Sequence, residues 1–319
     1  RGDGTFEDVS AKSGIAAHVG KAMSVSFADY DGDGRMDVFV TNDKMPNSLF
    51  HNLGGGKFEE VAFELGVALP DHGRDVSGMG SDFRDYDNDG RPDIVFAALA
   101  GETFPLFRNA GATGFRGWGR RSGLDVMSLR RSGWSPALAD FNNDGWKDLF
   151  VSGAHVSDNV EMFEAAHYKA ANFVAAGSAG GVFHEVPMEP ELQRARAHRG
   201  AAFADFNNDG RVDAVVSVIG ERAELWENVT AGGGSWLTLK LHGTRSNRDG
   251  IGAEVRIGSQ VNHMTTSVGY ASSSHAGVHF GLGSARVAER VEIRWPSGVR
   301  QVLTNVAANR AVDVTEPAK

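Results

Sequence analysis

The sequence predicts an all-β fold, a β-propeller with four recognisable blades followed by a small β-sandwich. Three observations lead to this prediction: a nine-residue acidic phrase occurs four times, an apolar and mostly β-branched run follows each copy, and 41 of the 319 residues are glycine. The first aspartates of the phrases are 56, 55 and 65 residues apart. A repeat near 50 residues indicates a propeller or solenoid rather than a domain with a single core. So many glycines are typical of an all-β chain rich in turns.

Each acidic phrase carries oxygen side chains at places 1, 3, 5 and 9 and a glycine at place 6. These oxygens form a ligand set for a hard cation, since Ca²⁺ takes roughly six to eight oxygen ligands. The glycine permits a sharp turn around the ion, and the backbone carbonyl at place 7 can complete the shell. We therefore expect about four Ca²⁺ ions, one in each loop. The predicted ligands are Asp29, Asp31, Asp33, Arg35 and Asp37 in loop 1; Asp85, Asp87, Asp89, Arg91 and Asp93 in loop 2; Asp140, Asn142, Asp144, Trp146 and Asp148 in loop 3; and Asp205, Asn207, Asp209, Arg211 and Asp213 in loop 4, where Arg35, Arg91, Trp146 and Arg211 contribute backbone carbonyls.

The four loops differ from an EF-hand in the residues that come after them. An EF-hand closes with a bidentate glutamate at place 12 and continues into a helix. Place 12 is Val40, Phe96, Val151 or Val216 in this chain, and its neighbours are apolar. Such runs predict buried strands, so each ion would lie in a turn between two strands.

Each repeat has the same internal order of predicted strands. A strand of small residues enters the loop, an apolar strand leaves it, and a third strand ends at Asn52, Asn109 or Asn228. Glycines then lead into a fourth strand, at 57–61 in the first repeat and 182–186 in the third. Four antiparallel strands make one propeller blade, and small residues suit its crowded innermost strand. The repeats, over about residues 1–230, resemble FG-GAP/VCBS repeats, the Ca²⁺-binding propeller blades also found in integrin α chains.

The first residues of the sequence resemble the fourth strand of a blade. Gly4-Thr-Phe6-Glu-Asp-Val9 matches the fourth-strand phrases, whereas the last repeat has no such phrase after Asn228. These residues would complete the last blade and close a four-bladed ring. The alternative is a piece of a longer propeller, which the resemblance implies because many FG-GAP propellers have seven blades.

The residues after Gly232 predict a second module. Strands are predicted at 236–241, 253–257, 264–268, 291–295 and 300–302, with a tight turn at 296–298, which is typical of a small β-sandwich. The phrases that begin at Asn247, His279 and Trp295 resemble the ASPIC/UnbV domain. Repeats followed by such a domain resemble the cartilage-acidic-protein-like family. We place the propeller at residues 1–231 and the sandwich at 235–317.

Composition narrows the choice of partners and compartment. The formal net charge is −9, and the loops hold 14 aspartates at ligand places, so four Ca²⁺ ions would bring the charge to −1. No basic stripe predicts a nucleic-acid partner, and no apolar run reaches the roughly 18–20 residues that span a bilayer. Loops without a closing glutamate resemble extracellular modules that bind Ca²⁺ with a Kd of roughly 10⁻⁴–10⁻³ M. We therefore expect a secreted, extracellular or periplasmic protein.

The favoured function is that of a non-catalytic, Ca²⁺-stabilised binding or scaffold protein. Its partner would be a protein or a glycan bound through the propeller faces. That partner could also be a second copy of the same protein. One alternative is a propeller enzyme or enzyme subunit that acts on polysaccharide or in redox chemistry. The polar residues that could converge for it are His72, Arg74, Arg131, His198 and Arg199. A further alternative is a structural subunit of a surface assembly or filament.

Overall fold

The computed structural model describes residues 4–274 and 277–318. Its first fifteen strands form four antiparallel sheets, which we call blades 1 to 4. Their bounds are β1 (Ala22–Ala28), β2 (Asp37–Asn42), β3 (Ser48–Gly54), β4 (Lys57–Glu60), β5 (Ser81–Arg84), β6 (Asp93–Phe96), β7 (Leu106–Asn109), β8 (Phe115–Gly117), β9 (Gly133–Ala139), β10 (Asp148–Gly153), β11 (Phe173–Ser178), β12 (Val182–Glu185), β13 (His198–Ala204), β14 (Asp213–Val218) and β15 (Glu224–Trp226). Short helices α1 (Ser10–Ser13), α2 (Gly119–Ser122) and α3 (Leu124–Ser128) and 3₁₀ turns at Ile15–Ala17, Gly111–Thr113 and Val160–Met162 lie in the connections. None of the helices in the described ranges is long and apolar enough to cross a membrane.

Blades 1 to 3 are four-stranded meanders in which consecutive strands are hydrogen-bonded neighbours. In each blade the nine-residue loop joins the first strand to the second, and the ninth-place aspartate begins the second strand. That aspartate pairs with the last residue of the first strand, as Asp37 does with Ala28 and Asp93 with Arg84. The strand order predicted for these repeats is therefore confirmed.

Blade 4 consists of three strands, β13 to β15, within the described residues. Residues 5–9, whose phrase matches a fourth strand, form no strand, and the side chain of Phe6 is 99% exposed. The prediction that these residues close a four-bladed ring is therefore wrong for the single chain. The physical reason lies in the next few residues, because α1 packs against β4 and holds the segment at the edge of blade 1.

The blades pack against one another through apolar faces, and their first strands meet in the order β1, β5, β9, β13. Phe39 of blade 1 lies against Phe83 and Phe96 of blade 2, with ring centroids 6.4 and 6.3 Å apart. Phe150 of blade 3 lies 5.2 Å from Phe203 of blade 4. Side chains on a strand alternate between its two faces, so each blade presents such residues to its neighbours. The core is thus a series of layers between blades.

The last seven strands form two sheets that share one core. The sheet orders are β19–β16–β22, with β16 and β22 parallel, and β18–β17–β20–β21. Leu239, Val255, Phe280 and Trp295 are buried between these sheets, so the predicted small sandwich is confirmed. The strands are β16 (Ser235–His242), β17 (Glu254–Ile257), β18 (Gln260–His263), β19 (Val278–Gly283), β20 (Val287–Arg294), β21 (Arg300–Ala307) and β22 (Arg310–Thr315).

The strand predicted at 264–268 is wrong. Residues 264–274 begin at the sandwich, where Met264 bonds to Gly252 and Ala253, and then run along the first strands of the blades. Gly269 accepts a hydrogen bond from Ser24 at 2.9 Å and donates one to the carbonyl of Ser81 at 2.9 Å. The backbone N–H of Tyr270 donates to Ser135, and the backbone N–H of Phe203 donates to Ser274, each at 3.0 Å. After Met264 the segment therefore has hydrogen-bond partners in all four blades and does not continue the sandwich sheet.

Candidate metal centres

Each acidic loop is closed by hydrogen bonds from its own backbone to its own side-chain oxygens. The glycine N–H at place 6 donates to the place 1 aspartate at 2.8 to 2.9 Å in all four loops. The N–H at place 7 donates to the place 5 aspartate at 2.8 to 3.0 Å. The N–H at place 5 donates to the place 3 side chain at 2.9 to 3.3 Å. The loops therefore share one shape that orders the side chains at places 1, 3 and 5.

The ninth-place aspartate ties each loop to its blade. Asp37 accepts one hydrogen bond from the backbone N–H of Tyr30 at 3.1 Å and another from that of Asn52 at 2.8 Å. The other three loops repeat both bonds, with a backbone donor at place 2 and one on the third strand. All four ninth-place aspartates are at most 2% exposed. This carboxylate is thus fixed by two strands and buried before any ion binds.

Two backbone positions of every loop lie in the left-handed region. Place 6 is always glycine, with φ between 86° and 97°. Place 4 has φ between 58° and 79°, and it is Gly32 in loop 1 but asparagine in the other three loops. Asparagine and glycine tolerate this conformation better than other residues. The residues at place 4 therefore shape the turn as well, although a role in the turn was predicted only for the glycine at place 6.

Burial makes several loop carboxylates hard to ionise without a cation. Desolvation raises the pKa of Asp37, Asp140 and Asp148 to about 7 and that of Asp85 to about 6. The pKa of Asp93 is also raised well above its usual range by burial. A buried divalent cation would reverse this effect, because it favours the ionised form of every carboxylate around it. The electrostatics of the loops therefore favour metal binding.

The positions of the carboxylate oxygens fit a cation in loops 1 and 2. One oxygen each from Asp29, Asp31 and Asp33 lie within 4.8 Å of one another, as do oxygens of Asp85, Asp87 and Asp93. In loop 1 the Oδ1 atom of Asp29 is buried and has no hydrogen-bond partner in the described part of the chain. Such an atom is costly unless a ligand satisfies it. Loops 3 and 4 carry one carboxylate fewer because place 3 is Asn142 or Asn207.

Comparison with protein families identifies both halves of the chain. A model described as an FG-GAP-like repeat matches residues 1–40, 29–96 and 85–151. A model described as ASPIC and UnbV matches residues 243–319. The chain therefore carries FG-GAP-like repeats within residues 1–151 and an ASPIC/UnbV domain at residues 243–319. The predicted resemblance to both is confirmed.

Curated relatives carry the name cartilage acidic protein 1. The protein from Homo sapiens is 26% identical over 331 residues, which cover 99% of this chain and 47% of the relative. The Mus musculus protein is 26% identical over 332 residues, covering 99% of this chain and 48% of the relative. The chain therefore spans about half the length of the curated relatives it matches.

Solved structures resemble only part of the fold. A lectin from Agrocybe aegerita that recognises non-reducing terminal N-acetylglucosamine has a TM-score of 0.34 and 17% identity, covering 64% of this chain and 51% of its own. A GH43_1 enzyme from Xanthomonas citri has a TM-score of 0.33 and 13% identity, covering 62% of this chain and 71% of its own.

The ASPIC/UnbV sandwich contacts the FG-GAP loops directly. Arg294 of β20 donates to Asp29 of loop 1 at 2.7 Å and also pairs with Glu254 of β17 at 2.9 Å. His279 of β19 lies 2.7 Å from the side-chain oxygen of Asn143 in loop 3, whose carbonyl accepts a bond from Gly283 at 2.9 Å. The loops therefore form part of the interface between repeats and sandwich.

Neighbouring loops are also joined to each other. The side-chain amide of Asn88, at place 4 of loop 2, donates to the carbonyl of Gly145, at place 6 of loop 3, at 2.8 Å. Asn143 of loop 3 donates to Gly210 of loop 4 in the same way at 2.9 Å. A change of shape in one loop would thus reach the next loop through a single hydrogen bond.

One residue beside each loop differs between blades and was not among the predicted site residues. It lies on the third strand, or directly after it in blade 4, one place before the backbone donor to the ninth-place aspartate. The four residues are His51, Arg108, Ala176 and Glu227. In loop 1, His51 Nδ1 lies 3.2 Å from Asp37 Oδ1. In loop 4, Glu227 accepts a bond from Asn207 at 3.1 Å. The sequence marks this position, because the residue directly precedes the recurring asparagine of the repeat. That asparagine is Asn52, Asn109 or Asn228 in three of the blades.

The residues that could serve an enzyme make separate contacts. His198 is buried, and its Nδ1 lies 3.0 Å from the carbonyl of Gly153. The Arg199 guanidinium lies 4.2 Å from the ring centroid of Trp134. Arg131 donates to Glu185 at 2.6 Å. The backbone N–H of Arg74 donates to the ring of His72 at 3.2 Å, in an exposed turn. The side chains of His198, Arg199 and Arg131 thus have partners within the fold, whereas the contact of Arg74 is made by its backbone.

Proposed function

We propose that this protein is a non-catalytic, Ca²⁺-stabilised binding or scaffold protein in which the repeats and the sandwich form one platform. The observation that carries the proposal is the position of residues 264–274. They lie along the first strands of all four blades, where the channel of a propeller enzyme would hold its substrate. With that space filled by the chain itself, the surfaces left for a protein or glycan partner are the outer faces and the loops between blades.

Calcium would have a structural role in this platform. Four loops of one shape hold buried carboxylates, and loops 1 and 3 contact the sandwich through Asp29 and Asn143. Ions in these loops would neutralise the buried carboxylates and hold the turns on which the sandwich rests. Binding to the folded state alone stabilises it by RT ln(1 + [L]/Kd), which is about 0.4–1.4 kcal/mol per site for millimolar ion and a Kd of roughly 10⁻⁴–10⁻³ M. Four such sites would control much of the stability of the platform.

An extracellular location agrees with both the loops and the relatives. The relatives are named for cartilage, an extracellular tissue, although the chain covers less than half of their length. Extracellular modules work with a Kd of roughly 10⁻⁴–10⁻³ M, so millimolar Ca²⁺ outside the cell would fill roughly half to nine-tenths of such sites. We therefore propose that the protein is secreted and binds its partner in the presence of that Ca²⁺.

The proposal is tested by measuring metal content, hydrogen exchange and partner binding on one preparation. Calorimetric titration of metal-free protein should show about four Ca²⁺ ions bound, and Ca²⁺ should slow amide exchange in residues 264–274. On arrays of glycans and matrix proteins, the protein should bind at about 2 mM Ca²⁺, roughly the concentration that the weak sites need. EGTA should abolish this binding. Fewer than three bound ions, or exchange in 264–274 that Ca²⁺ leaves unchanged, would contradict the Ca²⁺-stabilised platform.

A further inference from the structure

Blade 4 has an open edge with an apolar groove beside it. Its outermost strand, β15, pairs with β14 and with no further strand in the described ranges. A groove of about 360 Å³ runs next to this edge and is lined by Phe141, Phe150, Val174 and Trp226. Leu225 on the edge strand is 67% exposed. Unpaired strand edges next to apolar surface are ready to pair with another strand.

Blades 1 to 3 show which strand fits such an edge. In each, the phenylalanine of the fourth strand lies opposite the third-strand residue whose N–H donates to the ninth-place aspartate. The pairs are Phe58 with Asn52, Phe115 with Asn109 and Phe183 with Gly177. In blade 4 the corresponding residue is Asn228, whose N–H donates to Asp213 at 2.7 Å.

The fourth-strand phenylalanine also has a fixed aromatic partner. Phe115 of blade 2 lies 5.9 Å from Tyr30, at place 2 of loop 1. Phe183 of blade 3 lies 5.6 Å from Tyr86, at place 2 of loop 2. By the same rule, a fourth strand on blade 4 would place a phenylalanine against place 2 of loop 3. That residue is Phe141, which lines the groove.

The chain contains one further phrase of the fourth-strand type. Gly4-Thr-Phe6-Glu-Asp-Val9 matches residues 56–61 and 181–186, which share the order glycine, any residue, phenylalanine, any residue, acidic residue, valine. Phe6 is 99% exposed, whereas Phe115 and Phe183 are buried. We propose that residues 4–9 of a second copy of this chain add to β15 as the fourth strand of blade 4, with Phe6 opposite Asn228 and against Phe141.

A second copy fits this edge better than the chain's own residues. The segment is held at blade 1, where α1 packs against β4 and the Lys57 ammonium donates to the carbonyl of Lys12. Within the chain, each fourth strand is followed by the first strand of the next blade. Residues 4–9 on blade 4 would therefore place β1 of the second copy next to β13. This continues the order of blades from one copy to the next without breaking the contacts at blade 1.

Sedimentation equilibrium at saturating Ca²⁺ tests the association, which does not depend on the Ca²⁺ proposal. We expect a concentration-dependent dimer that Phe6→Ser weakens about a hundredfold, since a buried phenylalanine is worth roughly two factors of ten in affinity. Because Phe6 is exposed in the single chain, this variant should fold normally. The matched control is Phe63→Ser, an exposed phenylalanine at 68% that lies outside the segment. A chain that stays monomeric at all concentrations, or a dimer unchanged by Phe6→Ser, would overturn the proposal.

Disulfide trapping tests the register and the origin of the strand, because the chain contains no cysteine. The proposed register puts Glu7 opposite Glu227, so chains with Glu7→Cys and chains with Glu227→Cys, mixed under mild oxidation, should form a disulfide-linked heterodimer. Glu7→Cys mixed with Val126→Cys, which alters a residue 80% exposed on α3, is the control and should not cross-link above background. A chain that carries both Glu7→Cys and Glu227→Cys must also form disulfide-linked dimers. A disulfide within the monomer would show that the chain completes its own blade and would overturn the proposal.

Discussion

Arg108 of β7 donates through Nη2 to the Oδ2 atom of Asp89 in loop 2, at 2.7 Å, and its Nε donates to Asp87 of the same loop. Both aspartates are predicted Ca²⁺ ligands, so a fixed cation already faces this loop. The corresponding residues of the other blades are His51, Ala176 and Glu227. The residue at this position therefore differs in charge or polarity from blade to blade, although the loops themselves have the same shape.

Arg108→Gln should increase the Ca²⁺ affinity of loop 2 by roughly tenfold, because it removes a positive charge within a few ångströms of the ion. Metal-free protein should become less stable, since Asp87 and Asp89 would lose their cationic partner. Calorimetric titration and thermal unfolding, each with and without Ca²⁺, measure the two effects. Arg116→Ala is the control, because Arg116 faces solvent on β8 opposite Arg108. Unchanged affinity in Arg108→Gln would mean that the arginine moves away when the ion binds.

Glu227→Gln should weaken Ca²⁺ binding at loop 4. Glu227 lies beside Asn207 and adds a negative charge to a loop that has only three aspartates at ligand places. Its loss should reduce affinity several-fold, because ligand charge tunes the affinity of Ca²⁺ loops. Glu59→Gln on β4 is a control of the same chemistry, remote from loop 4. Equal affinities of the parent and Glu227→Gln would show that the glutamate does not influence the ion.

Asp31→Asn and Asp33→Ala separate charge from ligand number in loop 1. Asp31→Asn gives loop 1 the side chains of loops 3 and 4 at place 3, and we expect a several-fold loss of affinity. Asp33→Ala removes a ligand and the acceptor for the N–H of Arg35, so loop 1 should stay empty at millimolar Ca²⁺. Titration of the two variants beside the parent gives the comparison. Parent-like binding by Asp31→Asn would show that geometry rather than charge sets affinity in these loops.

The nature of each contact explains which features could be read from the sequence. Places 1, 3, 5 and 9 are local, and they recur four times in phase, so the blades and the candidate ligands follow from spacing alone. Residues 264–268 alternate like a strand, from Met264 to Val268. However, Ser267 donates to the carbonyl of Val25, and Gly269, directly after this run, bonds to Ser24 and Ser81, all more than a hundred positions away. The local sequence pattern does not indicate partners that are so distant along the chain. The contact of Arg294 with Asp29 could not be predicted for the same reason.

The stability of the protein should depend on pH in the absence of Ca²⁺ and lose most of this dependence when Ca²⁺ is bound. Burial raises the pKa of Asp37, Asp140 and Asp148 to about 7, whereas an aspartate in the unfolded chain has a pKa near 3.9. Between these values the metal-free folded state binds more protons than the unfolded state. Its free energy of unfolding should therefore fall as pH rises from about 4 to about 7, by roughly 1–2 kcal/mol for each such group between pH 5.5 and 7.5.

With saturating Ca²⁺ the same carboxylates are ionised in the folded state as they are in the unfolded chain, so the free energy of unfolding should change little over this window. Urea unfolding at pH 5.5, 6.5 and 7.5 measures both slopes, using protein stripped of metal beforehand because EGTA binds Ca²⁺ poorly in acid. Asp37→Asn serves as the matched variant: it removes one of the titrating groups, so the metal-free slope should become shallower. If the metal-free protein instead gains stability as pH rises, the buried carboxylates are already ionised without Ca²⁺. The loops would then not need the ion to neutralise them.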